Sequence, residues 1–347
     1  MKVLHLLASD RFSGAESVVC QIITMFNNDH GIEMAYCSKD GVIGEIAKRR
    51  GIQYIGVKCF SIFKLKKVLK SYKPDIIHAH DFRASVIGSL ICGKTPIIFH
   101  LHNNCPWMKK ITIRSLIFKF FSKKAKVVFG VSDSVINEYA FKNSISQKYI
   151  TIGNPFDRDE IIKKAKASVP LKPYSVGFFG RLAEQKRPLM FVDIIKELSG
   201  KDQNITCVMV GDGKLREAVC SKIRESGLSN TIDLTGFSDK PLPIMNSCRV
   251  VCMPSAWEGF GLVALEALAL GKPVIASPVG GLVNIVNEEN GSLCTSVEAF
   301  TEKISELLRN DDLYRVKTDA AIKTAKAFSN IDNYKMSLLA IYRKLID

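Results

Sequence analysis

Two segments hold most of the residues whose types and spacing could do chemistry. The first is Pro254-Ser255-Ala256-Trp257-Glu258-Gly259-Phe260-Gly261-Leu262-Val263-Ala264-Leu265-Glu266-Ala267. An apolar run, Val250–Met253, leads into a turn with two glycines and then into a helical pattern opening near Gly261. Free N–H groups at a helix start, with the positive end of the helix dipole, make an anion site. Gly259 and Gly261 let the backbone approach a phosphate closely. Glu258 stands just before that helix and Glu266 just over one turn inside it. Carboxylates beside an anion site do not hold phosphate, but they accept hydrogen bonds from hydroxyls, which suits a sugar on one side and a ribose on the other. A capped helix with two surface glutamates is the plainer alternative; the apolar exposure of the Trp257–Gly261 turn argues against it.

The second segment is Phe178-Phe179-Gly180-Arg181-Leu182-Ala183-Glu184-Gln185-Lys186-Arg187-Pro188. Here a strand ends at Gly180, and two cations five residues apart follow in a loop before a helix. Arg181 offers a planar fork to phosphate and Lys186 a mobile point charge, so together they could neutralise a diphosphate without metal.

Positioning these loops requires a large scaffold, and the chain has one. Its 347 residues are 47% hydrophobic and 24% charged, enough for two domains or one large one without metal or disulfide staples. Collagen, long coiled coil and wholesale disorder are excluded by that composition. No window approaches the roughly 18–20 apolar residues of a membrane span, and Met1–Ala8 reads as a first buried strand, not a signal peptide. The expectation is a cytoplasmic chain. Ten cysteines with no Cys-x-x-Cys pair read as scattered reduced thiols. Short apolar runs (Val3–Leu7, Glu33–Cys37, Ile52–Gly56, Ile76–Ala79, Ile97–Leu101, Val127–Val131, Tyr149–Ile152) alternate with helical stretches. This predicts a doubly wound parallel sheet. Lys163–Lys172, with Pro170 and Pro173 close to its end, reads as a linker. Alternation then resumes from Ser175 to Cys294, and a last helical stretch runs over Asn333–Ile346. Two α/β domains follow, joined near residue 170, with ligands beyond the carboxyl ends of their strands.

With these pieces in place, the chain resembles the GT-B glycosyltransferases, in particular glycosyltransferase family 4. The resemblance rests on Gly180-Arg181 with Lys186, and on Glu258 and Glu266 around the Gly-Phe-Gly turn. It extends to Ser13-Gly14-Ala15-Glu16, similar to the family's Gly-Gly-Ala-Glu loop with serine for the first glycine. His78-Ala79-His80, Pro96–His102, Gly153-Asn154-Pro155-Phe156-Asp157 and Gly280-Gly281-Leu282 match further family segments. Asn284 stands where the family usually has an acidic residue.

The resemblance implies a GT-B fold of two Rossmann-like domains facing a cleft. These are an acceptor-side domain over 1–168, a nucleotide-sugar domain over 169–330, and a C-terminal helix over 331–347 packing back on the first. It implies Arg181 and Lys186 on the donor diphosphate, Glu266 on the ribose and Glu258 on the transferred sugar. Gly180, Gly259 and the amides of Phe260, Gly261 and Leu262 complete the phosphate site, and Gly236 and Phe237 touch the base. Gly14, His102 and Asn103 form the acceptor side, with Gly14 also approaching the donor and His102 near the sugar. The implied catalytic set is His102, Arg181, Lys186 and Glu258. His100 and His102 share one face of a strand, so either could hold the histidine position. The expected reaction is transfer from a nucleotide-diphosphate sugar, UDP-linked, with retention and with neither metal nor cofactor. The expected acceptor is a glycan or lipid-linked glycan of a bacterial-type surface polysaccharide or glycolipid.

The same sequence offers signals for other functions. Asp157-Arg158-Asp159 has the form of a metal-binding Asp-x-Asp, but helix capping accounts for it. Gly211-Asp212-Gly213 lacks the third glycine of a dinucleotide fingerprint, since Arg216 occupies that position. A nucleotide-sugar epimerase would share the architecture. A basic nucleic-acid-binding protein would account for the net charge of +15, yet no recognition helix, zinc finger or RNA-binding signature is present, so no nucleic acid is expected. Residues 1–165 carry 26 Lys and Arg against 13 acidic residues, whereas residues 166–347 carry 23 against 21. Within the basic half, Trp107–Lys124 mixes aromatics, aliphatics and cations in a way that suits the anionic inner face of a membrane; an ordinary helix packed on the sheet is the alternative.

Overall fold

The computed structural model describes residues 1–10, 12, 14–166 and 172–346. Runs of three to seven residues rich in Val, Ile and Phe, largely apolar on both faces, form strands covered by helices on both sides, the pattern of parallel sheets. The first sheet contains β1 (Lys2–Leu6), β2 (Glu33–Lys39), β3 (Gln53–Val57), β4 (Ile76–Ala79), β5 (Ile97–Leu101), β6 (Ala125–Gly130) and β7 (Tyr149–Thr151), in the order β3-β2-β1-β4-β5-β6-β7. The second contains β8 (Tyr174–Phe179), β9 (Cys207–Val210), β10 (Ile232–Gly236), β11 (Cys248–Met253), β12 (Val274–Ala276) and β13 (Gly291–Leu293), in the order β10-β9-β8-β11-β12-β13. Every pairing in both sheets is parallel.

Strand order reverses beside the first strand of each sheet. In the first the switch lies between β1 and β4, and in the second between β8 and β11. Loops leaving adjacent strands there diverge to opposite faces and open a crevice at the carboxyl edge. The helices are set by ordinary local signals. Asp81 caps the helix Phe82–Ile91 by accepting from the Ala84 N–H at 2.7 Å, and also takes the Ala8 N–H at 2.6 Å, tying the end of β1 to the end of β4. Thr112 and Ser115 form a reciprocal capping box on the helix Ile113–Ser122.

The chain divides into two compact units, Met1–Pro155 with Asn330–Asp347, and Phe156–Ser329. This moves the boundary expected at 168/169 to 155/156. The stretch beginning at Lys163 is not a linker over its first four residues: Arg158–Lys166 is a helix, and Ile161 and Ala165 lie in the core of the second unit with Phe156 and Leu265. Its lysines misled the reading because they occupy only the outer face of that helix. Residues 167–171, which hold Pro170, lie outside the described residues. The last helix, Ile331–Ile346, belongs to the first unit: the buried Tyr342 hydroxyl lies 2.7 Å from His78 Nδ1, and Lys335 pairs with Asp29 at 2.7 Å.

Because Ile161 fills the core of the second unit, Ile161→Ala should destabilise that unit by about 2–5 kcal/mol, read as a lowered midpoint in denaturant or thermal unfolding. An unchanged midpoint would place the helix outside that core.

Candidate active site

The two chemistry-bearing segments leave neighbouring strands. Gly180 follows β8 and Pro254 follows β11, and β8 pairs with β11 through Val176–Val250 and Gly177–Val251. Both loops therefore start at the topological switch of the second sheet. They are fastened to each other: the Ala256 N–H donates to the Gln185 carbonyl at 2.8 Å, and Gln185 Nε2 donates to the Trp257 carbonyl at 3.3 Å. Arg187 takes a left-handed conformation (φ 46°) before Pro188 opens the next helix, which turns the chain sharply after Lys186.

Lys186 and Glu258 form an ion pair, with side chains only 15% and 12% exposed. A pair taken this far out of water is held by mutual attraction against desolvation. Arg181 is exposed, with one guanidinium nitrogen 3.5 Å from Gln185 Oε1. The helix Leu262–Ala269 opens after Gly261 in the left-handed region (φ 103°), and no side chain caps it. The N–H groups of this helix start therefore have no side-chain cap, and Glu258, the partner of Lys186, precedes Gly261 by three residues. Glu266 sits on this helix. Burial pushes its carboxyl up to about 7, while the charges of Lys164 and Lys186 pull it down.

The turn holding Glu258 is shaped by a second loop. Gly280 is left-handed (φ 56°), and a Cβ there would lie 1.6 Å from the Glu258 carbonyl oxygen; one on Gly281 would lie 2.2 Å from that of Phe260. Only glycines let the two backbones pass. Phe260 packs against the core of this unit and meets Phe328 edge-on at 6.5 Å, so its apolar surface is largely covered from within. The turn therefore exposes less apolar surface than its composition suggests.

Gly236 ends β10 with φ 77°, and Phe237 beyond it is 57% exposed. They stand at the same carboxyl edge as Gly180, two strands further out. Between them lies a feature the sequence reading dismissed. The Gly211 N–H donates to the Gly236 carbonyl at 2.8 Å, and the Leu182 N–H donates to the Asp212 carbonyl at 3.0 Å. Gly211-Asp212-Gly213 is a brace for the Arg181 loop, where a Cβ at Gly211 would strike the Gly180 carbonyl at 1.9 Å. Gln185 was also missed as a connector. Its position between two charged residues concealed a side chain that is buried. Asp157 accepts from the Glu160 N–H at 2.9 Å, which is helix capping.

In the first unit, Gly14 begins the helix Gly14–Phe26, and a Cβ on it would meet nothing within 4 Å among the described residues. Ser13 lies outside them. His100 lies within β5 and is fully buried, whereas His102 follows the end of that strand and is partly exposed, with Asn103 next to it. His102 is therefore the histidine at the carboxyl edge. Asn104 is anchored through Nδ2 to Glu138 at 2.6 Å, and Glu138 also pairs with Lys109 at 2.7 Å.

Two doubly wound parallel-sheet units of this kind define a GT-B fold. The family model for glycosyltransferase family 4 matches residues 13–160, and that for glycosyl transferases group 1 matches residues 159–325. The chain is 29% identical over 316 residues to the uncharacterized glycosyltransferase MJ1178 of Methanocaldococcus jannaschii, covering 88% of this chain and 84% of that protein. It is 24% identical to the UDP-Gal:alpha-D-GlcNAc-diphosphoundecaprenol alpha-1,3-galactosyltransferase of Escherichia coli, covering 73% and 70%. Among solved structures, Anabaena Alr3699/HepE in complex with UDP-glucose superposes with a TM-score of 0.88 at 20% identity, over 99% of this chain and 100% of that one. The chain belongs to the group 1, family 4 glycosyltransferases, and it is an enzyme of the hexosyltransferase kind.

A carboxyl raised in the folded protein favours the protonated fold. The stability associated with Glu266 is present below the ordinary carboxyl range and is lost as pH rises through about 7. Glu266→Gln should therefore gain in melting temperature relative to wild type between pH 5 and pH 8 in the ligand-free protein. A difference independent of pH would contradict the raised carboxyl.

Proposed function

We propose that this glycosyltransferase moves a sugar from a UDP-sugar to a lipid-linked glycan, with retention and without a metal ion. The observation that carries the reading is the meeting of Lys186, Glu258 and an uncapped helix start at one sheet switch. Negative charge grows on the departing diphosphate while the sugar becomes oxocarbenium-like. Cations and N–H groups fixed there in advance act where that charge develops, each worth about 3–4 kcal/mol of barrier. Arg181 and Lys186 supply the positive charge that a metal would otherwise bring.

Glu258 receives the hydroxyls of the transferred sugar and Glu266 those of the ribose. In the ligand-free protein Lys186 and Glu258 neutralise each other, so neither waits as a bare buried charge. A bound donor offers each a new partner: phosphate for the ammonium, hydroxyls for the carboxylate. Gly236 and Phe237 serve the base, and Gly14, His102 and Asn103 serve the acceptor side. Retention follows when the acceptor oxygen attacks the sugar's anomeric carbon from the face the diphosphate leaves. The carbon–oxygen bond to phosphate breaks, the new glycosidic bond forms, and the acceptor's proton passes to a phosphate oxygen. The lipid diphosphate acceptor named for the Escherichia coli relative supports a lipid-linked glycan for this chain.

No helix of the described chain is long and apolar enough to cross a membrane. Exposed residues of the first unit support a peripheral approach to one. Ile111 (73% exposed), Ile113 (80%) and Phe120 (64%) project around the helix Ile113–Ser122, with Lys110, Lys123 and Lys124 exposed nearby. Not all of the segment is free for lipid: Phe118 is buried, and Arg114 stacks over Phe82 and Trp107 at 4.5 and 4.8 Å. Exposed aliphatics flanked by lysines suit the anionic inner leaflet, where each cation adds about 1 kcal/mol.

Two outcomes are expected. Lys186→Ala and Glu258→Gln should each lower kcat by about 10²–10³-fold with the fold retained by circular dichroism, and EDTA should leave wild-type turnover unchanged. Near-normal turnover in either variant would refute the site. Flotation with vesicles containing anionic phospholipid should carry the wild-type protein at low salt and lose Ile113→Ser/Phe120→Ser; equal flotation of both would refute the lipid-facing helix.

A further inference from the structure

Arg216 stands at the carboxyl edge of the second sheet, and nothing in the fold accounts for its charge. It opens the helix Arg216–Glu225, just past the Gly211-Asp212-Gly213 brace. A cation in the first turn of a helix meets the positive end of the helix dipole, an unfavourable place for arginine. The guanidinium lies against the end of β10: a Cβ on Gly236 would be 3.2 Å from its Nη1 and 4.0 Å from both Cζ and Nη2. Gly236 is in the left-handed region, and the exposed Phe237 follows it.

This guanidinium is almost unspent. Its one ion-pair partner among the described residues is Asp212, whose Oδ1 is 3.9 Å from Nη1, beyond hydrogen-bond reach. That same Oδ1 already accepts the Gly213 N–H at 2.7 Å. Both side chains are exposed, so the pair contributes little to stability. The Arg216 side chain makes no hydrogen bond to any described residue. Five N–H donors in a planar fork are therefore held at the Gly236 turn without an acceptor.

Its place in the sheet separates it from the diphosphate residues. Lys186 and Glu258 meet at the β8–β11 switch, whereas β10 is the edge strand, two strands out from β8 and about 10 Å away along the sheet. A nucleotide with its diphosphate at the switch spans that gap with its ribose and brings its base to Gly236 and Phe237. An aromatic ring offers every base a stacking face and discriminates little among them. A guanidinium discriminates, because it donates and never accepts. A pyrimidine joined to ribose through N1 directs its C4 substituent outward, toward the edge strand. In uracil that group is a carbonyl, an acceptor; in cytosine it is an amino group, a donor.

We propose that Arg216 is a specificity-determining residue of the donor site, donating to the C4 carbonyl of uracil and rejecting cytosine, whose amino group leaves the guanidinium unpaired. The inference rests on the donor site proposed above and adds to it the residue that chooses the base. Phe237 supplies stacking area and Arg216 the choice. Gly236 leaves room for the guanidinium, since a side chain there would press into it.

Isothermal titration calorimetry of the full-length protein with UDP, CDP and inorganic pyrophosphate tests this. Wild type should bind UDP roughly 10–100-fold more tightly than CDP, the range for one base edge read by a guanidinium. Arg216→Met, which keeps the stem and removes the donors, should bring the two within about threefold by weakening UDP, and should leave pyrophosphate affinity unchanged. The ligand-free variant should melt no lower than wild type, since it gives up no hydrogen bond and relieves the helix dipole; a marked loss would assign Arg216 to the fold and overturn the proposal. Equal affinity of wild type for UDP and CDP overturns it, as does a UDP preference that survives in Arg216→Met. Equal weakening of UDP, CDP and pyrophosphate in that variant overturns it too, since Arg216 would then act as a general attractor of anions. The donor site itself fails separately: UDP affinity would then be unchanged in Lys186→Ala, whatever Arg216→Met does.

Discussion

The ion pair between Lys186 and Glu258 is the interaction on which the proposed donor site turns. Its two side chains come from loops 72 residues apart in sequence, and each is largely removed from water. Such a pair gains little net stability over an apolar replacement, because desolvation offsets attraction. In the proposed reaction its value is that each charge can exchange its partner for a group of the donor. The backbone around it is fixed independently of the charges. The Gln185 bonds join the two loops, Gly280 and Gly281 press the neighbouring turn against Glu258 and Phe260, and the Gly211 loop supports Arg181 from behind. On the proposed reading, a site built this way keeps its cations and N–H groups in place before the donor arrives, which is the condition for stabilising charge that appears only during reaction.

The two units handle polar groups differently at their carboxyl edges. In the second, opposite charges are paired and Glu266 is poised near neutral pH by burial against two lysines. In the first, burial holds five imidazoles well below the usual range for protonation, and they stack and hydrogen-bond with one another. The excess positive charge of the first unit lies outside that neutral layer, on surfaces such as Lys110, Lys123 and Lys124.

Much of this was readable from the amino-acid order, for identifiable reasons. Strands buried on both faces are continuous apolar runs, so Ile76–Ala79 and Ile97–Leu101 were expected with the bounds they have. Arg181, Lys186, Glu258 and Glu266 stood out because charged residues next to glycine turns at strand ends are hard to place in a core. The boundary between units was misplaced because Arg158–Lys166 shows mostly charged residues and only two buried ones, Ile161 and Ala165. Gln185 and Gly211 were illegible as supports, since their work consists of contacts to Trp257, Gly180 and Gly236 that no local spacing encodes. The histidine cluster was half visible: alternation placed His100 with His102, but only strand order brings His5, His78 and His80 to them.

A crystal structure of the protein with bound UDP-glucose tests the central claim most directly. The account predicts the diphosphate within hydrogen-bond reach of the Lys186 ammonium and the N–H groups at the start of Leu262–Ala269, with the Lys186–Glu258 contact opened and Glu258 on sugar hydroxyls. A diphosphate bound away from the β8–β11 switch, with that ion pair still closed, would contradict it.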